Sequence, residues 1–183
     1  MKISIITIHR VLNYGTVLQA FATQEIIKKM GHQVEIIDYI TEVRKPKDIF
    51  MAYPNHLSKN FIKKLFYILI RIPSNTLKFL TFNNFIKNNY KLSKEKFISI
   101  SDLKKNPPDA DAYIVGSDQV WNSQYNEMVD EGFFLEFGNN SVLRLSYASS
   151  FGVEFIEEDE SKKVKGHLEK FNAISVREKV EKK

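Results

Sequence analysis

At 183 residues and 43% hydrophobic content, the chain can form one α/β domain with a full core and is short for two. It contains no cysteine, which excludes disulfides, thiolate catalysis and a cysteine-ligated metal. The net charge of +5 is uneven: residues 57–96 hold nine cations against Glu95 alone, a balance of +8 that leaves −3 for the rest.

Residues 2–8 open with an apolar run too short for a signal peptide and interrupted by His9-Arg10, so they read as a strand. Asn13-Tyr14-Gly15 then starts a helix whose Leu18, Phe21, Ala22, Ile26 and Ile27 recur on one face, and Met30-Gly31-His32 stops it. A second strand at 34–37 closes with Asp38-Tyr39. Strand, helix and strand in this length form a βαβ unit, which predicts parallel strands and a right-handed crossover.

Between residues 41 and 96 that rhythm gives way to a helical insertion. Phe61, Leu65, Phe66, Leu69 and Ile70 mark one amphipathic helix, which the Ile72-Pro73 step should break. Leu77, Phe79, Leu80, Phe82, Phe85 and Ile86 mark another. The insertion is expected to pack on the flank of the sheet, the alternative being a lid or an acceptor-facing arm. Its cations suit a solvated helical face; membrane-surface contact through 57–96 is the alternative kept open. Nucleic acid is not expected, because the Phe and Tyr residues there sit at helical core spacing. Residues 97–100 are a strand or only the lead-in to a helix starting near Ser101.

After the Pro107-Pro108-Asp109 break, Ala112-Tyr113-Ile114-Val115 has the pattern of a strand buried on both faces. It switches abruptly to Gly116-Ser117-Asp118 and is anchored by Val120 and the single tryptophan, Trp121. Glycine admits close approach, while serine and aspartate bring hydrogen bonds and charge, as a ligand-facing loop requires. The bland reading is a turn whose Ser or Asp caps a helix. Further strands are expected at 142–148, ending in Ser149-Ser150, and at 173–176, ending in Arg177-Glu178. The acidic run 157–160 opens the helix between them.

The elements predict an α/β fold with a Rossmann-like, mostly parallel sheet, flanking helices and a helical insertion at about 41–96. Five strands then end in polar groups, and ligands of open parallel sheets bind beyond those ends. Each group also has a structural reading: His9 as a turn histidine, Asn13 as a helix cap, Ser149 and Ser150 as a turn, Arg177 as a surface ion-pair partner. Asp38 stands about where an acidic residue would bind a ribose, but no Gly-x-Gly-x-x-Gly precedes it, so no nicotinamide cofactor is expected. His9, His32, His56 and His167 share no metal-ligand spacing with carboxylates, so no metal is expected either.

Several blocks of the chain resemble the polysaccharide pyruvyl transferase family. They are Ile5-Ile6-Thr7 with His9, Asn13-Tyr14-Gly15-Thr16-Val17-Leu18-Gln19-Ala20, Val34-Glu35-Ile36-Ile37-Asp38-Tyr39 and Tyr113-Ile114-Val115-Gly116-Ser117-Asp118-Gln119-Val120-Trp121-Asn122. Ser146-Tyr147-Ala148-Ser149-Ser150-Phe151-Gly152 and Ile174-Ser175-Val176-Arg177-Glu178 complete the set, in the family's order. The resemblance implies one lobe of a fold like that of the GT-B glycosyltransferases, with the active site between two lobes. It implies pyruvate transfer from phosphoenolpyruvate to a sugar of a cell-surface polysaccharide, or a lipid-linked precursor, as a ketal, without a cofactor. The chain stops just after Arg177-Glu178, where the second lobe would begin, so residues 1–183 are expected to be an N-terminal lobe with the C-terminal lobe absent.

On that resemblance Asp118 and His9 are the catalytic candidates. Asn13, Tyr14, Gly15, Gly116, Ser117, Ser149, Ser150 and Arg177 are the substrate-binding ones. Arg177 would take the donor's anionic end, and Asp118 would orient or deprotonate an acceptor hydroxyl. The expected location is cytoplasmic, at the membrane periphery. The competing readings are a non-catalytic half-domain that binds a glycan or a partner lobe, and a nucleotide-sugar glycosyltransferase lobe.

Overall fold

Six strands pair side by side in the order β3-β2-β1-β4-β5-β6, all parallel. A computed structural model describes residues 1–40, 61–126 and 128–177. In chain order the elements are β1 (Lys2–Ile6), α1 (Tyr14–Lys29), β2 (Gln33–Tyr39), α2 (Phe61–Asn89), β3 (Leu92–Phe97) and α3 (Ile100–Lys105). They continue with β4 (Ala112–Asp118), α4 (Ser123–Asn126), β5 (Leu143–Ser149), α5 (Glu158–Leu168) and β6 (Ala173–Val176). The chain winds outward from β1 to β3, then returns to lay β4 against the other side of β1. That reversal creates a topological switch point between β1 and β4, where Rossmann-like sheets bind ligands.

The central strands alternate between two cores because successive side chains point to opposite faces. Ile3 and Ile5 of β1, Val34 and Ile36 of β2, and Ala112 and Ile114 of β4 join Val17, Ala20 and Ile27 of α1 with Phe82 and Ile86 of α2. Ile6, Ile37, Tyr113 and Val115 face the other way, toward Leu103 of α3, Val164 of α5 and the aromatic group around Trp121. Both faces are therefore covered by helices or loops, and continuous apolar runs in β1 and β4 are the direct result.

Local signals set the helix ends. The Asn13 side chain accepts the Thr16 N–H at 3.2 Å and caps α1. Ser99 and Asp102 form a reciprocal capping box that starts α3, one residue ahead of the Ser101 start expected. Glu158, Asp159 and Glu160 fill the first turn of α5, where the helix dipole favours negative charge.

Three expectations need correction. The inner face of α1 is Val17, Ala20, Thr23, Gln24 and Ile27, while Leu18 and Ile26 are exposed, because this helix carries apolar residues on more than one side. Pro73 does not divide the insertion into two helices; it lies inside the continuous α2. A proline there removes one N–H donor, and Leu69, Ile70 and Ile72 around it are exposed, so water is at hand for the freed carbonyl. The insertion also ends sooner than expected: α2 stops at Asn89, and Leu92–Phe97 is the edge strand β3, rather than a strand beginning at Phe97. The expected insertion residues 41–60 lie outside the described residues. Among the described residues no helix is long and apolar enough to cross a membrane.

Candidate functional site

Parallel pairing brings the carboxyl ends of β1, β4, β5 and β6 to one edge. At the switch point, Thr7 follows β1 and donates from Oγ1 to the Ser117 carbonyl at 2.8 Å. Gln19, one turn into α1, donates from Nε2 to Thr7 Oγ1 at 3.2 Å and accepts from Ser117 Oγ. Thr7, Gln19 and Ser117 thus close a hydrogen-bonded ring that ties strand, helix and loop together.

Asp118 stands beside that ring. Its Oδ2 accepts from Thr16 Oγ1 at 2.7 Å, and its Oδ1 accepts the Gln119 N–H at 2.8 Å. A carboxylate offers about four lone-pair sites, so each oxygen can still accept another hydrogen bond. Asp118 adopts φ 84°, a backbone conformation that an L side chain occupies at a cost of about 1–3 kcal/mol and that clusters at ligand clamps. Before it, Gly116 takes φ 106° and packs so closely on β5 that a Cβ would sit 2.4 Å from the Tyr147 carbonyl oxygen. The Gly116–Ser117 peptide is cis.

The next strands extend the polar row. Ser149 Oγ donates to the Val115 carbonyl at 3.0 Å, and the Ser150 N–H donates to the Asp118 carbonyl at 3.0 Å. Arg177, following β6, donates from its N–H to Ser149 O at 3.0 Å and from Nη2 to Ser150 Oγ at 3.1 Å. Asp118, Ser150 and Arg177 therefore lie in hydrogen-bonded succession on one edge of one sheet. Trp121 pins the loop beneath: its indole N–H donates to Phe133 O at 2.9 Å, and its ring stacks on Phe134 at 5.6 Å.

His9 takes a different position. Its ring is 1% exposed, with Nδ1 3.0 Å from the Thr7 carbonyl and Nε2 3.1 Å from Asp38 Oδ1. Both partners are acceptors, and they lie on the β1–β2 side of the site. Asp38 also accepts from Arg10 Nε at 2.7 Å and Nη2 at 2.6 Å, a bidentate pair, so both of its carboxylate oxygens are held by protein groups. A small hollow lined by Ile8, Arg10, Val11, Tyr39 and Phe133 adjoins this network. Of the remaining candidates, Tyr14 is exposed with its ring 4.8 Å from Phe82, and Gly15 follows the Asn13 cap at the head of α1.

Burial alone would raise the Asp38 carboxyl, but the hydrogen bonds and charge of His9 and Arg10 outweigh it and hold the group well below the usual carboxylate range. A depressed folded value means that Asp38 stabilises the fold above its ordinary value of 3.8, and that this contribution fades as pH falls toward the depressed one. Asp38→Asn should therefore flatten the acid side of the stability profile, read from urea midpoints between neutral pH and about pH 2. Parallel wild-type and variant profiles over that range would show the network to be unimportant.

A family model described as polysaccharide pyruvyl transferase matches residues 13–183. The chain belongs to the polysaccharide pyruvyl transferase family. Comparisons with curated proteins and with solved structures returned no match. In this pyruvyl transferase family member the matched span holds Asn13, Asp118, Ser150 and Arg177, while β1, Thr7 and His9 precede it. Thr7, Thr16 and Gln19 lie in the family-like blocks but not among the site candidates, although Thr16 and Gln19 are three apart and so share a helix face. Among the described residues no three His, Asp or Glu side chains are grouped to hold a metal ion.

Proposed function

We propose that this edge of the sheet is the acceptor and donor platform of a pyruvyl transfer, in which phosphoenolpyruvate ketalises two hydroxyls of a sugar in a polysaccharide or lipid-linked precursor. The reaction has fixed demands. The enol methylene takes up one proton, one sugar hydroxyl adds to the adjacent carbon, and a second hydroxyl displaces phosphate. Of the two hydroxyl protons lost, one balances the proton taken up by the methylene and the other leaves with the phosphate, and the donor's carboxylate and phosphate need cationic or N–H partners.

The observation that carries this reading is the continuous row from Asp118 through Ser150 to Arg177 in a chain of this family. A carboxylate with spare acceptor capacity suits an acceptor hydroxyl, as orienting group or base. A guanidinium at the far end suits a carboxylate or phosphate. Asn13, Tyr14, Gly15, Gly116, Ser117 and Ser149 shape the floor between α1 and β5 in this scheme. His9, buried against Asp38, acts through position or supplies a proton only after the network rearranges. A second lobe closing over the edge, and action in the cytoplasm where phosphoenolpyruvate is made, belong to the same proposal.

Calorimetry on the full-length protein tests the donor. Phosphoenolpyruvate should bind, and Arg177→Ala should weaken it roughly 10–100-fold, as for loss of a charge-assisted hydrogen bond. Binding of nucleotide sugars with none of phosphoenolpyruvate would replace this reading with a glycosyltransferase lobe.

A further inference from the structure

We propose that α2 lays its outer face on an anionic lipid surface, as an interfacial helix that holds the protein at a membrane without crossing it. Ile62, Phe66, Leu69, Pro73, Leu77 and Leu80 recur every three or four residues, which places them in one stripe along the helix. The stripe faces solvent: Ile62 is 77% exposed, Phe66 65% and Leu77 67%. The helix is meanwhile fixed to the domain by its other side, where Phe82 and Ile86 are buried against α1 and the sheet. A row of large apolar side chains held away from the core is what an interaction surface requires.

Charge identifies the occupant. From Phe61 to Asn89 the helix carries Lys63, Lys64, Arg71, Lys78 and Lys87 and not one aspartate or glutamate. The first four of these lie on other sides of the helix than the apolar stripe, given 100° of rotation per residue. An apolar face backed by basic residues, with no acidic ones, is the composition of helices that lie in the headgroup plane of anionic membranes. A second copy of this chain fits less well, because two such helices would bring together segments that each carry five basic residues and no acidic one. The inference stands apart from the chemistry proposed at the sheet edge, and either can fail alone.

The test is co-sedimentation of the full-length protein with vesicles of phosphatidylcholine alone and of phosphatidylcholine mixed with phosphatidylglycerol. The protein should pellet with the mixed vesicles and not with the neutral ones, and added salt should weaken the binding. Phe66→Asp and Ile62→Asp, both at exposed positions, should abolish it while leaving circular dichroism and urea midpoint unchanged. Lys87→Ala, exposed and seven residues after Leu80, hence in line with the stripe, should lower partitioning roughly fivefold, the contribution expected of one basic residue near an anionic surface. Failure to pellet with anionic vesicles would overturn the proposal. So would binding that survives both apolar substitutions, which would be adsorption by charge alone. A lipid-free dimer that Phe66→Asp dissociates would assign the face to a second copy instead.

Discussion

Asp118→Asn should lower pyruvyl transfer by about 10²–10⁴-fold, the range for loss of a positioned acid–base group. The two side chains are nearly the same size, so the Gln119 N–H and Thr16 hydroxyl, now 2.8 and 2.7 Å from the carboxylate oxygens, stay within reach. What disappears is the capacity of both oxygens to accept while one also takes a proton from an acceptor hydroxyl. The loss should fall on kcat more than on KM for phosphoenolpyruvate, because the proposed site for the donor's anionic end is Arg177. Phosphate release from phosphoenolpyruvate in the presence of acceptor reads both constants, and a urea midpoint shared with the wild type shows that the fold is intact. Unchanged turnover would remove Asp118 from the chemistry.

The second large effect is on stability. Gly116→Ala should destabilise the protein by about 2–6 kcal/mol, combining the strain of positive φ with overpacking. A Cβ at Gly116 would meet the Tyr147 carbonyl oxygen at 2.4 Å and Ser149 Oγ at 2.6 Å. Neither neighbour can yield cheaply. Tyr147 is the register partner of Gly116 in the β4–β5 pairing, and Ser149 Oγ is bonded to Val115 O. Gly31 is the control: it has φ 88° with nothing within 4 Å of its Cβ direction. Gly31→Ala should show only the conformational cost, about 1–2 kcal/mol. Equal losses in urea denaturation would mean that contact with β5 contributes nothing.

Where one stretch of chain carries its own signal, sequence and structure agree. The apolar run ending in Gly116-Ser117-Asp118 is β4, and the strand expected at 173–176 is β6 (Ala173–Val176). β3 escaped because Leu-Ser-Lys-Glu-Lys-Phe buries only Phe97. An edge strand with one neighbour has little need of alternation, and charged residues there discourage pairing with other chains. Pro73 misled because proline's rule is a cost, and an exposed helix flank can bear it.

The site divides along the same line. Asp118 and Arg177 stand out as candidates by residue type at a strand end. The engagement of His9 by Asp38 depends on the β1–β2 register across 29 positions, and the Thr7–Ser117 bond spans 110. No local pattern encodes such meetings; only the sheet order creates them.

Trp121 is the sole tryptophan, and its ring lies 5.2 Å from Phe151, the neighbour of Ser150, as well as against Phe134. Its backbone N–H also donates to Ser150 O at 3.1 Å, which couples the indole to the serine that bridges Asp118 and Arg177. The protein thus contains its own optical reporter. Any small molecule that shifts those loops will change the colour or intensity of the indole emission, so occupancy can be followed with no attached dye.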